Sequence, residues 1–185
     1  MALRTLEIRR HSMRKSGGGS QLSQAGVDYA RKLGASLGPF AQVVTSVVPR
    51  TRETAIAMGF AVDYELVTLT TDTDLYAEME SNRWWEAAHP FTALGRLIAT
   101  NGATWRYGQA MVALWRDLLT AIPDGSAALV IGHSGDLEIA VVVCFPDADY
   151  DSWGGPFGSC EGARLTFAGD PAHFTAVELL RGASA

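Results

Sequence analysis

Apolar residues recur along the chain in two alternating patterns, compact runs and stretches of helical spacing. Compact runs predict strands at residues 3–8, 41–47, 64–70 and 127–131. Helical spacing predicts a helix over residues 24–36, with Ser23 as its N-cap, and another that begins at Pro49 and ends at Met58. This alternation of strands and helices is typical of an α/β protein.

The pattern in the second half of the chain predicts further helices and, near the C-terminus, an antiparallel hairpin. Residues 72–122 are predicted as loop and helices, with one buried stripe made of Trp105, Met111, Val112, Trp115, Leu118 and Leu119. A buried helix is predicted over 136–144, and a hairpin joins 164–167 to 174–179. The pattern predicts an α/β three-layer sandwich with a mainly parallel central sheet, in one domain over residues 1–185.

Composition excludes several classes of protein. Of 185 residues, 48% are hydrophobic and 19% charged, which excludes a disordered chain. Cys144 and Cys160 lack CxxC spacing, which excludes a disulfide-rich scaffold. The longest apolar stretch, 137–145, contains Glu138 and is too short for a bilayer, and residues 1–12 carry no apolar signal core. We therefore expect a cytoplasmic protein without a membrane partner.

The net charge of −5 divides unevenly along the chain. Residues 1–60 hold nine Arg or Lys against three Asp or Glu, and residues 61–185 hold six against seventeen. An acidic protein repels nucleic acid, whereas a locally basic segment favours a small anionic ligand held at one point. The alternative is that the two halves neutralise each other across the fold.

Polar clusters follow three of the predicted strands. They are Arg10-His11, the segment 46–50, and His133-Ser134. In open α/β sheets ligands bind beyond the carboxyl ends of the strands, so the three clusters indicate an anion site. A neutral imidazole can attack a phosphoryl group, two arginines can hold its oxygens, and a second, cationic histidine would add a donor. A carboxylic acid would protonate the leaving oxygen.

The same segments resemble motifs of a known family. They are Leu6 to His11 with Ser12, Leu22-Ser23-Gln24-Ala25-Gly26 with Ala30 and Leu33-Gly34, Ser46 to Ala55 with Arg50 and Thr54, and Ala128 to Gly135. In this order they resemble the histidine phosphatase superfamily, which includes phosphoglycerate mutases and small phosphohistidine phosphatases. The resemblance covers about residues 3–60 and 127–136, and it implies a phosphoglycerate mutase-like fold.

The resemblance implies roles for four residues. His11 would be the nucleophile, Arg10 and Arg50 would bind phosphate, and His133 would assist in the same pocket. Arg52 is the alternative to Arg50 for binding phosphate. Arg50 is favoured because its spacing from the Thr-Ala pair that begins at Thr54 matches the family motif.

The general acid is the least specific part of the resemblance. The family places its general acid between the arginine helix and the second histidine. Glu78 lies in that part of the sequence, at the end of a stretch that resembles the family's acid motif but is one residue longer. Glu80 is the runner-up. Asp136 is a second alternative, because another branch of the family places an acid just after the second histidine.

Two positions depart from the family pattern. Ser12 replaces the usual Gly after the nucleophile, and Ser134 replaces a Gly or Asn after His133. Either hydroxyl would donate to phosphate or narrow the pocket, and Arg14 would add a substrate contact. Residues 72–107 would form a cap that faces the substrate.

The resemblance implies a metal-independent phosphatase with no cofactor. Its substrate would be a phosphomonoester or a phosphohistidine protein, and the chain is short for a phosphoglycerate mutase-type phosphotransferase. A catalytically weak member that binds phosphorylated ligands is an alternative. A serine hydrolase is more remote: Ser134 would be the nucleophile, Asp147 or Asp149 and His173 would complete the triad, and Asp136 stands where its motif needs glycine.

Overall fold

The computed structural model describes residues 2–182, which contain six strands and six α-helices. The strands are β1 (Arg4–Arg10), β2 (Gln42–Ser46), β3 (Tyr64–Leu66), β4 (Ala127–Gly132), β5 (Gly162–Gly169) and β6 (Ala172–Leu180). The helices are α1 (Gln24–Gly34), α2 (Pro49–Ala57), α3 (Thr73–Asn82), α4 (Pro90–Ile98), α5 (Ala103–Ala121) and α6 (Asp136–Cys144). Short 3₁₀ turns lie at Val67–Leu69, Trp84–Glu86 and Tyr150–Trp153.

The strands form one sheet in the order β3-β2-β4-β1-β5-β6. The first four strands in that order are parallel neighbours, whereas β5 is antiparallel to both β1 and β6. The sheet is therefore mainly parallel, with an antiparallel hairpin at one edge. With helices on both faces, it confirms the predicted three-layer α/β fold.

Strand β4 shows how the sheet is buried on both faces. Ala128 and Val130 belong to a large apolar cluster under α4, α5 and α6, whereas Leu129 and Ile131 belong to a smaller one under α1 and α2. Successive side chains of a strand point to opposite faces, so a doubly covered strand needs an unbroken apolar run. This need explains the compact sequence pattern of residues 127–131.

Three local predictions differ from the structure. The strand predicted over 64–70 ends at Leu66, because β3 is an edge strand that pairs with β2 over only three residues before the chain turns and buries Leu69. Trp105 is 37% exposed, because the buried stripe of α5 is centred on Thr104, Gly108 and Met111 and Trp105 lies at its flank. The hairpin is longer than predicted at both strands.

The segment 72–107, predicted as a cap, contains α3, α4 and the start of α5. Its side chains join the same large cluster as β1 through Leu75, Met79, Trp84, Phe91, Leu94, Leu97 and Ile98. Its role as a cap stays a prediction. Among residues 2–182, none of the helices has the length and apolar character needed to cross a membrane.

Helices α1 and α2 pack closely at Gly34, where there is no room for a side chain. A Cβ at Gly34 would lie 2.0 Å from the backbone oxygen of Met58, which caps α2. We expect Gly34→Ala to lower the free energy of unfolding by about 1–3 kcal/mol, because backbone must move to admit the methyl group. Gly155→Ala is the control, since nothing lies within 4 Å of its Cβ position. Equal urea midpoints for the two variants would contradict this packing.

Candidate active site

The two predicted site histidines lie side by side because of strand register. Strands β1 and β4 are parallel neighbours with Arg10 opposite Gly132. The residues that follow these two are His11 and His133, so the histidines are neighbours as well. The His11 backbone N–H also donates to the Gly132 carbonyl at 3.0 Å. The two imidazole centroids are 5.3 Å apart, with the rings edge to face. The structure thus brings both histidines together at the carboxyl end of the sheet.

A backbone carbonyl fixes the tautomer of His11. Its Nδ1 lies 2.7 Å from the carbonyl oxygen of Ser12, which can only accept a hydrogen bond. Nδ1 therefore carries the proton, and in the neutral ring Nε2 carries the lone pair. This tautomer presents Nε2 as a nucleophile.

His133 takes the opposite tautomer. Its Nδ1 lies 3.2 Å from Nη2 of Arg50, which can only donate, so the neutral ring is protonated at Nε2. Nε2 donates to Ser46 Oγ at 2.9 Å. The Ser46 hydroxyl in turn contacts Thr51 Oγ1 at 2.9 Å, in the first turn of α2. His133 therefore connects the end of β2 with the arginine of α2.

Burial and nearby cations keep both imidazoles neutral. Burial, together with the charges of Arg50, Arg10 and Arg14, lowers the pKa of His11 to about 4, and the hydrogen bond to the Ser12 carbonyl opposes this shift. Burial lowers the pKa of His133 to about 3, again with a contribution from Arg50. The expectation of a cationic second histidine is therefore wrong for the ligand-free site, because a further positive charge beside the arginines is unfavourable.

Three guanidinium groups surround the histidine pair. Arg10 donates from Nη1 to the Phe157 carbonyl at 2.6 Å, and Arg14 is exposed but close enough for its charge to lower the pKa of Arg50. Among the described residues, the buried Nε atoms of Arg10 and Arg50 have no hydrogen-bond partner. Arg52 instead lies 3.6 Å from Glu65 at the surface. Arg50 is thus the arginine in the cluster, and these unpaired N–H groups suit an anion.

Asp136 is the carboxyl group whose burial and pKa best suit a general acid. It is 3% exposed, and burial raises its pKa to about 7, helped by the charges of Glu138 and Asp72. A hydrogen bond from Thr71 Oγ1 at 2.7 Å and the charge of Arg50 oppose the rise. A carboxyl group that titrates near neutral pH can both give and take a proton.

Glu78 is engaged elsewhere in the fold. Its Oε2 accepts hydrogen bonds from the backbone N–H and the hydroxyl of Thr104, at the N-terminus of α5. Its Oε1 lies so close to Gly102 that a Cβ there would meet it at 1.8 Å. The structure therefore uses this carboxylate as a helix cap and does not bring it to the histidine pair by any described contact. Glu80, on the same helix, lines a cavity beside Ser134.

The two serine hydroxyls predicted to contact substrate are used inside the protein. Ser12 is fully buried and donates from Oγ to the Gly26 carbonyl at 2.7 Å. Ser134 donates from Oγ to the buried Glu138 at 2.8 Å. Each hydroxyl has only one proton to donate, so neither offers it to a phosphate in this arrangement.

The serine hydrolase triad does not assemble. His173 pairs with Ala168 next to the hairpin turn, and β5 is antiparallel to β1, so this turn lies at the opposite end of the sheet from Ser134. At about 3.3 Å per residue, the length of β1 separates the two residues by about 20 Å. The Ser134 hydroxyl donates to a carboxylate and makes no hydrogen bond to a histidine among residues 2–182.

Sequence reasoning missed the residues that hold the site in place. Ser46 and Thr51 position His133, and Thr54 Oγ1 accepts from the Ser12 backbone N–H at 2.9 Å. Glu138 accepts from Ser134, from Gly135 N–H and from Phe157 N–H. Its place among the apolar residues 137–145 was the available signal, because a buried carboxylate needs several donors.

Comparisons with known proteins bear on the fold. No protein-family model matches the sequence, and the search of curated proteins finds no match either.

Solved structures match over almost the whole chain. A mycobacterial glucosyl-3-phosphoglycerate phosphatase in complex with vanadate has a TM-score of 0.68 at 18% identity, covering 97% of this chain and 100% of its own. A phosphoserine phosphatase from Entamoeba histolytica has a TM-score of 0.64 at 13% identity, covering 97% and 98%. A phosphoglycerate mutase from Bacillus anthracis has a TM-score of 0.64 at 16% identity, covering 97% and 93%.

These neighbours are members of the histidine phosphatase superfamily. The chain has their phosphoglycerate mutase-like fold, so the resemblance carried by the motifs is confirmed at the level of the fold.

The hydrogen bonds predict opposite tautomers for the two histidines. At pH 6 we expect His11 to be neutral with its proton on Nδ1 and His133 to be neutral with its proton on Nε2, because their pKa values lie near 4 and 3. Long-range ¹⁵N–¹H NMR correlations distinguish the tautomers, and His89→Gln and His173→Gln identify the other two rings. Titration of either site ring with a midpoint near 6.5, or one shared tautomer, would contradict the geometry.

Proposed function

We propose that this chain is a phosphatase that transfers the phosphoryl group of a small phosphomonoester to His11 and then to water. One observation carries the proposal: His11 is held neutral, with its Nε2 lone pair free, among three guanidinium groups. A neutral imidazole is a nucleophile, and the cations supply the charge that a phosphoryl group needs. The fold shared with phosphatases of the histidine phosphatase superfamily supports the same assignment.

In the first step, Nε2 of His11 attacks phosphorus while Arg10, Arg14 and Arg50 hold the non-bridging oxygens. The bond between phosphorus and the leaving oxygen breaks, and we assign Asp136 to give that oxygen its proton. With a pKa of about 7, Asp136 is partly protonated at neutral pH. Glu78 is less suited, because it accepts two hydrogen bonds at the start of α5.

In the second step, Asp136 takes a proton from water, which attacks the phosphohistidine. Inorganic phosphate leaves and the His11 lone pair is restored, so protons and charge return to their starting state. His133 acts mainly by holding Arg50 through Nδ1, while Ser46 fixes its ring. An anion in the pocket would raise the pKa of both histidines by Coulomb attraction.

The substrate would be a phosphomonoester or a phosphohistidine protein. The reaction would need no metal or cofactor, since the arginines supply the positive charge that the phosphoryl oxygens require. Residues 72–107 would act as the cap. If the second acceptor is a hydroxyl of another substrate instead of water, the same residues perform a phosphotransferase reaction of the mutase type. Release of inorganic phosphate distinguishes the two.

A covalent, metal-independent mechanism makes a direct prediction. Hydrolysis of an aryl phosphate should persist in EDTA and be abolished by His11→Ala, because the lone pair of the other imidazole, at His133 Nδ1, accepts a hydrogen bond from Arg50. His173→Ala, which changes an exposed histidine at the hairpin, is the control and should retain activity. Phosphate release by His11→Ala at the wild-type rate would overturn the mechanism. Tight phosphate or vanadate binding without turnover would favour the binding-only alternative.

The choice of general acid predicts a pH profile. For esters with poor leaving groups, kcat/KM should fall as the pH rises above about 7, because Asp136 loses the proton it must donate. Asp136→Asn should remove this limb and slow such esters by about 10²–10⁴-fold, with a smaller effect on activated aryl esters.

Glu78→Gln and Glu80→Gln are the matched variants and should keep the alkaline limb. If Glu78→Gln alone removes it, the acid is Glu78 and the assignment of Asp136 is wrong. If Glu80→Gln alone removes it, the acid is Glu80.

A further inference from the structure

A cavity of about 260 Å³ adjoins the candidate active site. Ser134 and Gly135, which follow His133 directly, form one side of it. Thr71 also lines the cavity, and its hydroxyl donates to Asp136. A leaving group whose oxygen receives a proton from Asp136 would therefore extend into this space, which we call the aromatic cavity. Its volume is below the range of about 300–1,000 Å³ typical of drug-sized ligands, and it suits a small head group.

The walls of the aromatic cavity are electron-rich. Tyr76, Trp84 and Trp85 present three aromatic rings, and Trp84 is 2% exposed, which makes it a fixed part of the wall. The faces of such rings carry negative electrostatic potential and attract cations, quaternary ammonium groups above all. Arg83 illustrates this preference, since its guanidinium lies 6.0 Å from the centroid of Trp85.

The charge of the aromatic cavity is negative. Glu80 lines it, and none of the described residues that line it is Arg, Lys or His. Arg83, the cation close to Glu80, is held by two hydrogen bonds from its side chain to Glu86 at the surface. A carboxylate on the leaving group would face Glu80 with no cation of the wall to pair with it, whereas a positive group would be attracted.

We propose that the aromatic cavity binds a small cationic leaving group, so that the preferred substrates are zwitterionic phosphomonoesters of an ammonium alcohol, with phosphocholine as the representative probe. This inference rests on the proposed function, because it places the phosphoryl group at His11. The arginine cluster takes the anionic end and the aromatic cavity takes the cationic end. The glucosyl-phosphoglycerate phosphatase and phosphoserine phosphatase found as neighbours are named for substrates that carry a carboxylate. Phosphoserine also carries an ammonium group, so the specificity proposed here differs in that the leaving group has a cation and no carboxylate.

Equilibrium binding tests the proposal without turnover. Calorimetry on His11→Ala would compare phosphocholine with 3,3-dimethylbutyl phosphate, which has the same shape with carbon in place of nitrogen, and with 3-phosphoglycerate. We expect phosphocholine to bind about tenfold more tightly than its neutral isostere and more tightly still than 3-phosphoglycerate.

Two sets of variants separate the contributions of charge and of the rings. Glu80→Gln should reduce the preference for phosphocholine several-fold, and Glu80→Lys should shift it toward 3-phosphoglycerate. Asp74→Asn, an exposed acid on the same helix that does not line the cavity, should change nothing. Tyr76→Phe should retain the preference and Tyr76→Leu should reduce it, and Tyr76 is exposed enough (58%) for both variants to fold.

The outcomes separate this inference from the proposed function. Equal affinity for phosphocholine and its isostere, or a preference that Glu80→Gln leaves unchanged, would overturn the inference. If wild type still hydrolyses an aryl phosphate in that case, the proposed function stands. Failure to bind inorganic phosphate and to hydrolyse any phosphomonoester would overturn both.

Discussion

The parallel pairing of β1 with β4 is the constraint on which the site depends. It places Arg10 opposite Gly132, and so it sets His11 and His133 next to each other where both strands end. A shift of one residue would turn every side chain of β1 to the other face of the sheet, burying charge and exposing the core. The apolar residues that specify this register, such as Leu6 and Ile8, therefore also fix the distance between the two imidazoles.

The site brings the positive charges of Arg10, Arg14 and Arg50 close together around two imidazoles. Burial keeps both imidazoles neutral, so the guanidiniums repel no additional cation. Asp136 is held close to its neutral form by the same burial. The result is a pocket whose positive charge suits an incoming anion, with a proton donor beside it. Hydrogen bonds hold Arg10, both histidines, Arg50 and Asp136 in place.

Much of this arrangement could be predicted from the sequence because the residues at strand ends are adjacent to the strand pattern itself. His11 follows β1, Arg50 lies in the first turn after Pro49, and His133 follows β4, so locating the strands also located the site. The structure confirms the fold and brings those side chains together. Glu78 was beyond this reasoning, since its partner Thr104 is distant in sequence and becomes a neighbour only when α3 packs on α5. The hydroxyls of Ser12 and Ser134 likewise depend on acceptors that only tertiary structure reveals.

The most direct measurement is identification of the phosphorylated atom after rapid acid-free quenching during turnover, by mass spectrometry and ³¹P NMR. We expect a phosphoryl group on His11, attached at Nε2, because Nδ1 is occupied by its hydrogen bond to the Ser12 carbonyl. A phosphoryl group at Nδ1, on Ser134, or on no residue while phosphate is still released, would contradict this mechanism.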